Sequence, residues 1–379
     1  MIFFYKNKKD LPLENYGYLP LVPMIKTLDS ESVLEVLKPV QDPELQKSLV
    51  ALNMIRNVKV DGGNVGFTLV LTTPACPLRE FIREDCEKAV RTLPGVESVE
   101  IEITAETPQQ KALPDRTGID GVKNILAVTS GKGGVGKSTV AINLAVALAK
   151  TGATVGLIDA DIYGPNAPIM MGLSEANVTV RDEDGQQVLE PAFNHGVKMV
   201  SMGFLIDRDQ PVVWRGPMLN GVIRQFLYKV QWGELDYMVV EMTPGTGDAQ
   251  LTLAQAVPLA GAVIVTTPQD VAVSDARRGL KMFEQLNVPI LGLVENMSYF
   301  IPPDMPDKQY AIFGDGGGEK AAAELGVDLI GQVPMEMPVR EGGDRGLPIV
   351  LAAPDSASAI ALMDIAKKTA AKISVAALT

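Results

Sequence analysis

At 379 residues the chain is too long for one ordinary domain, and its 46% hydrophobic and 21% charged content is that of a globular protein with a sizeable core. A formal net charge of −12 disfavours bulk attraction to nucleic acid or to an acidic membrane surface. No apolar run reaches the roughly 18 residues of a spanning helix, and two cysteines, Cys76 and Cys86, are too few for a disulfide framework or a four-thiolate metal centre.

Residues 1–26 show no clean periodicity and read as an extension or disordered arm. The lysines of "MIFFYKNKKDLP" follow its short apolar run, which is the reverse of a secretory signal, so a cytoplasmic protein is expected. From 27 to 104 the pattern is regular. "SESVLEVLKPV" places Val33, Leu34, Val36, Leu37 and Val40 at helical spacing behind a Ser/Asp cap. A turn and an alternating strand at 65–71 follow, then a helix near 77–92 and a strand in "GVESVEIEIT". This is a small α+β domain. Residues 105–122 are polar, carry Pro and Gly, and read as a linker.

Beyond the linker, at 123–379, apolar strands alternate with helices: "NILAVTS", "TVGLIDAD", "YMVVEM", "GAVIVTT" and "PILGLVEN". Continuous Val/Ile/Leu runs belong to strands covered on both faces, so this domain is expected to be α/β, a parallel sheet wrapped by helices.

Gly131, Lys132, Gly133, Gly134, Val135, Gly136, Lys137 and Ser138 satisfy G-x-x-x-x-G-K-[ST] between a predicted strand at 124–129 and a predicted helix at 138–150. The glycines let backbone N–H groups curl around phosphates, and the helix N-terminus adds partial positive charge. Lys137 is expected on the β/γ-phosphates of ATP and the Ser138 hydroxyl on Mg²⁺, with Thr139 completing the loop. Asp159 and Asp161 end the strand of "GLIDADIYGP", Glu241 ends that of "YMVVEMTPGTGD", and Asn296 ends that of "LGLVENMS". Carboxylates so placed suit a water-bridged metal and the orientation of an attacking water. Asn296 reads either as an amide facing adenine or as a turn cap.

Lys132 stands where the general motif accepts almost any residue. K-G-G-x-G-K-[ST] resembles the deviant Walker A loop of the class containing MinD, ParA and nitrogenase iron protein, in which this lysine reaches the partner's nucleotide across a dimer. The resemblance therefore implies a nucleotide-gated homodimer, with Lys132, Lys137 and Asp161 in catalysis and Asp159 on the metal side. More of the chain resembles the Mrp/ApbC iron–sulfur cluster carriers: "DADIYGPNAP", "SMGF", "VVWRGPM", "PGTGDAQLTLAQ", "TTPQDVAVSDARRG", "VENMSYF" and "REGGDRGLPIV". "PVQDPEL" and "LTTPACPLR" are similar to the MIP18-like unit often fused in front. The function implied is ATP-dependent carriage of a cluster, [4Fe–4S] by resemblance, to apoprotein clients.

Two departures from the family pattern stand out. Glu241-Met-Thr-Pro-Gly replaces Asp-Met-Pro-Pro-Gly, which repositions a carboxylate by about one bond length and predicts slower hydrolysis or altered switching. After "ENMSYF" the usual Cys-Pro-x-Cys is missing, as in cyanobacterial and plastid-type members, for which the plastid stroma is the alternative location. Clusters are usually held by thiolates, so Cys76 becomes the candidate ligand, with a small buried thiol as the plain alternative. Cys86 reads as a core residue and His195 as a loop residue. Trp214 and Arg215 suit a dimer or client surface, or a structural role. The helix at 357–373 either covers the sheet with Leu362, Ile365, Thr369 and Ile373, or lies on a membrane as in MinD-like proteins. Two further functions remain open: a positioning ATPase of the ParA/MinD type, and an ATP-switched adaptor without a cluster.

Overall fold

The computed structural model describes residues 28–110, 116–162, 164–176, 179–183, 186–205, 216–245 and 247–378. The arm at 1–26 and the pair Trp214 and Arg215 lie outside the described residues.

The first unit opens with α1 (Ser30–Leu37), where Asp29 and Ser32 form a reciprocal capping box. Strands β1 (Gln41–Asp42) and β2 (Lys47–Ser48) pair antiparallel, and Asp42 closes their turn by accepting from Glu44 N and Leu45 N, both at 2.9 Å. Strand β3 (Ile55–Asp61) runs antiparallel to β4 (Asn64–Leu71), and β5 (Ser98–Ala105) joins β4 in parallel. A parallel neighbour requires a crossover, which α2 (Arg79–Val90) supplies. Strand β3 is not among the strands expected from the sequence. Its register shifts between Arg56 and Lys59, and Asn57 sits at φ 54°, so the two-residue alternation is broken there.

The second unit continues with β6 (Val122–Ser130), α3 (Lys137–Lys150), β7 (Val155–Asp159) and α4 (Ala167–Met170). Next come the hairpin β8 (Thr179–Glu183) and β9 (Gln186–Glu190), then β10 (Ala192–Asn194), β11 (Val197–Ser201), α5 (Gly216–Tyr228) and β12 (Leu235–Glu241). The chain proceeds through α6 (Asp248–Ala256), β13 (Leu259–Thr266), α7 (Asp270–Gln285), β14 (Ile290–Phe300), α8 (Gly317–Leu325) and β15 (Leu329–Met335). It ends in α9 (Met337–Arg345), α10 (Ile349–Ala352) and α11 (Ala357–Leu378).

These strands form an eight-stranded sheet in the order β10-β11-β7-β12-β6-β13-β14-β15, parallel except for β10 at one edge. Helices α3 and α11 bury their apolar side chains on one face, and α5, α6 and α7 on the other. The parallel sheet wrapped by helices is therefore what the buried strand runs predicted. Because the strands run together, the ends of β6, β7 and β12 bring Ser130, Asp159 and Glu241 to one edge, where open α/β sheets hold ligands.

In α11, Leu362, Ile365, Thr369 and Ile373 are all buried, and the three apolar ones belong to the core around α3. The face that a membrane would need is thus already used. Among the described residues no helix is long and apolar enough to cross a membrane.

The two units meet at the opposite, N-terminal edge of the sheet. The turn after β4 presents Thr73, whose Oγ1 accepts from the Tyr237 hydroxyl of β12 at 2.9 Å, and Ser374 of α11 donates to the Thr72 carbonyl at 3.2 Å. Ala75 in the same turn lies inside the core built by α3 and α11.

Candidate functional site

The phosphate-loop sequence folds as a left-handed entry into α3, with Gly134 at φ 80° and Gly136 at φ 78°. Gly131 is irreplaceable on contact grounds and Gly136 by its left-handed backbone. A Cβ on Gly131 would lie 2.1 Å from the Asp275 carbonyl carbon, and one on Gly136 would lie 2.1 Å from Asn296 Nδ2. The loop is thus wedged between α7 and the end of β14. Gly133 and Gly134 are exposed, Val135 is buried, and Thr139 lies in the first turn of α3.

Lys137 points along the strand ends. Its Nζ donates to Asp161 Oδ2 at 3.0 Å and to Glu241 Oε1 at 2.5 Å, and its side chain is only 6% exposed. Burial pulls the Lys137 ammonium down, but the Glu241 and Asp161 charges outweigh it and leave the group above its ordinary value. It stays a cation. Ser138 Oγ donates to the same Glu241 Oε1. One carboxylate oxygen therefore holds both the lysine and the hydroxyl expected to meet phosphate and metal.

Asp159 is fully buried: its Oδ1 accepts from Asp161 N at 3.0 Å and its Oδ2 from Ser201 Oγ at 2.7 Å. Burial, with the Glu241 charge alongside, pushes this carboxyl well above the usual carboxylate range. Three acids crowd one lysine here. Glu241 Oε2 is buried and has no hydrogen-bond partner among the described residues. An orphaned buried carboxylate oxygen next to a serine hydroxyl, in an acid-rich pocket, fits a hard divalent cation with oxygen ligands. Of the candidate oxygens on Ser138, Asp159 and Glu241, the one without a hydrogen bond among the described residues is Glu241 Oε2.

Asn296 Nδ2 donates to the Val135 carbonyl at 2.9 Å, which places the amide against the phosphate loop. Lys132 carries a half-exposed side chain without an ion-pair partner among the described residues, although its carbonyl accepts from Ser130 Oγ. The two lysines of the loop thus differ sharply in surroundings.

Cys76 sits at the other edge of the sheet, half-buried against the first unit's core, with burial pushing its thiol up to about 11. Cys86 is buried in that core, as read from the sequence, and its thiol is pushed up to about 12. His195 occupies the turn between β10 and β11, with Nε2 2.8 Å from the Gly346 carbonyl, which is a loop role. The segment after Phe300 closes through paired backbone bonds between Phe300 and Tyr310. Among the described residues no three His, Cys, Asp or Glu gather as metal ligands.

Sequence reasoning passed over Ser201, Glu295 and Gln250. Glu295 is buried and accepts from Gly318 N at the start of α8 and from Gln332. Only the family-like phrases "SMGF", "VENMSYF" and "PGTGDAQLTLAQ" signalled these residues.

The fold and the loop define a P-loop nucleotide-binding protein. Residues 121–370 match the family described as NUBPL iron-transfer P-loop NTPase, and residues 30–103 match one described as iron-sulfur cluster assembly protein. The chain belongs to the NUBPL iron-transfer P-loop NTPase family. It is 72% identical over 351 residues to an iron-sulfur cluster carrier protein of Synechocystis sp., covering 93% of this chain and 99% of that one. A carrier of the same description from Deinococcus radiodurans is 47% identical over 92% of this chain and 97% of its own. A solved nucleotide-binding protein from Archaeoglobus fulgidus, in complex with ADP, is 40% identical with a TM-score of 0.53, covering 60% of this chain and 88% of that one.

Proposed function

We propose that this chain is an ATP-binding and ATP-hydrolysing carrier whose cargo is an iron–sulfur cluster, delivered to apoprotein clients by a nucleotide-gated dimer. The observation that carries the nucleotide half is the double hold of Glu241 on Lys137 and Ser138 beside its own unpartnered Oε2. Mg²⁺ held by Ser138 and Glu241 would neutralise phosphate charge. Lys137 would place the β/γ-phosphates, Asp161 would orient the attacking water, and Asp159 would fix the Asp161 backbone through its own carboxylate. Lys132, free of ion pairs among the described residues, suits a contact in trans with the nucleotide of a second copy. The cargo half rests on kinship with proteins named as cluster carriers. The cytoplasm is the setting proposed, or the plastid stroma for a plant-type source.

A second reading, an ATP-switched adaptor without cargo, is favoured by one observation: the Cys76 thiol is half-buried and held protonated.

Two measurements test the proposal. Titration with a fluorescent ADP analogue should show saturable binding by the parent and none by Lys137→Ala; equal behaviour of the two removes the nucleotide reading. Anaerobic reconstitution with iron and sulfide should give the parent a stable chromophore. If Cys76→Ser loses it, the ligand lies in the first unit. If neither protein holds iron above an unrelated control, the adaptor reading replaces the carrier.

A further inference from the structure

Resting on the nucleotide reading, we propose that Gln250 is a positioning residue that latches the segment Met242–Gly245 to the base of the phosphate loop. Gln250 stands in the first turn of α6 and is 1% exposed. Its Nε2 donates to the Thr243 carbonyl and to Thr129 Oγ1 at 3.2 Å. Thr129 is itself buried, two residues before Gly131. One amide therefore ties the segment following Glu241 to the strand that delivers the phosphate loop.

The orientation of that amide is dictated by its neighbours. A backbone carbonyl only accepts, so the face towards Thr243 must be the NH₂ group. Gln250 Oε1 is left buried without a donor among the described residues. A side chain selected only to fill and satisfy the core would not keep an acceptor unpaired at a cost of about 1–3 kcal/mol. The backbone adds two more stitches, Met242 N to the Val128 carbonyl and Gly245 N to the Ser130 carbonyl, both at 2.9 Å. Between these rungs the Thr243 carbonyl is held only by the side chain of Gln250 among the described contacts. The segment is thus pinned at its ends by main chain and in its middle by one side chain. Glu241 immediately precedes it and holds Lys137 and Ser138. Gln250 consequently sets where the Glu241 carboxylate rests and how readily the segment moves when phosphate arrives at the loop. The unpaired Oε1 supplies an acceptor for a backbone N–H of the segment in its shifted position.

The test compares the parent with Gln250→Leu and Gln250→Met, neither of which can donate to Thr243. Three quantities are measured: the Kd for fluorescent ADP, the split of ATPase rate into kcat and KM, and amide hydrogen exchange of the peptide spanning 242–245. A positioning role predicts ADP affinity within about twofold of the parent, kcat lower by about tenfold, and faster exchange in that peptide. Parent-like kcat, KM and exchange in a variant that melts like the parent overturns the latch. A variant with a lower melting temperature but parent-like kcat per bound nucleotide assigns Gln250 a purely structural role, which also overturns it. Should the parent itself fail to bind the ADP analogue, the fault lies in the nucleotide reading, and exchange in the 242–245 peptide still decides whether Gln250 holds the segment.

Discussion

Strand β12 carries two very different environments at its two ends. At Glu241 the surroundings are ionisable: Lys137, Asp159 and Asp161 share a buried volume with it, and one glutamate oxygen accepts from two donors. At Tyr237, four residues earlier, the seam between the units is neutral, with a phenol on a threonine, a serine on a carbonyl and Ala75 in an apolar core, and one ion pair, Lys123 to Asp236 at 2.8 Å, stands beside it within the second unit. Four strand residues span about 13 Å. Charged buried pairs are costly to leave half-made but can change partners, whereas the neutral seam gains mostly from staying shut. The difference separates a place built for exchange from a place built as a joint. It also places Cys76, in the joint, at the far edge of the sheet from Lys132.

The strongest way to break this contrast is Lys137→Met. It leaves Glu241 buried without its cation and should cost about 3–5 kcal/mol in chemical denaturation. Adding Glu241→Gln should recover much of the loss; a loss below about 1 kcal/mol would mean that the charged edge is no tighter than a surface pair.

Next in size is the reactivity of Cys76. With its thiol pushed up to about 11, it holds about a hundredfold less thiolate near neutral pH than an unburied thiol. Alkylation by iodoacetamide, followed by mass spectrometry, should rise about tenfold per pH unit and level off only near pH 11. Levelling near pH 9 would mean that the joint leaves the thiol open to water. The sign for stability follows from the same shift. The unfolded chain's thiol ionises first, so this group's contribution is complete below about pH 9 and falls as pH rises towards 11.

Shortening the carboxylate in Glu241→Asp should loosen its hold on Lys137 and Ser138 and raise kcat by up to about tenfold with Mg-ATP still bound. Equal turnover would mean that the extra methylene has no kinetic role. The smallest effect belongs to the neutral end. Tyr237→Phe should lose about 1 kcal/mol, with nucleotide affinity unchanged. A change in affinity would show that the two ends of β12 communicate.

Much of the nucleotide edge was legible because its signals are local. The loop, the strand entering it and the helix leaving it are contiguous, and each agrees with its neighbour. The acids at the ends of β7 and β12 were legible for a related reason, since a buried apolar run ending in a carboxylate is rare without a use. What could not be read were partners brought together from far along the chain. Ser201 meets Asp159 across 42 positions, and Gln250 meets Thr129 across 121. A serine or glutamine in a polar stretch carries no mark of such an appointment. Asn296 shows the same limit, since its contact with the Val135 carbonyl spans 161 positions. The hairpin β8–β9 was passed over because its sequence is mostly polar and gives little apolar alternation.

The placement of Ala75 has a thermal consequence. It is 2% exposed and lodged among side chains of α3 and α11, while belonging by sequence to the first unit. Removing that unit would uncover apolar surface of the larger core and expose the Tyr237 hydroxyl that now donates to Thr73. Calorimetry of the whole chain should therefore show one endotherm, the two units melting together as a single cooperative body.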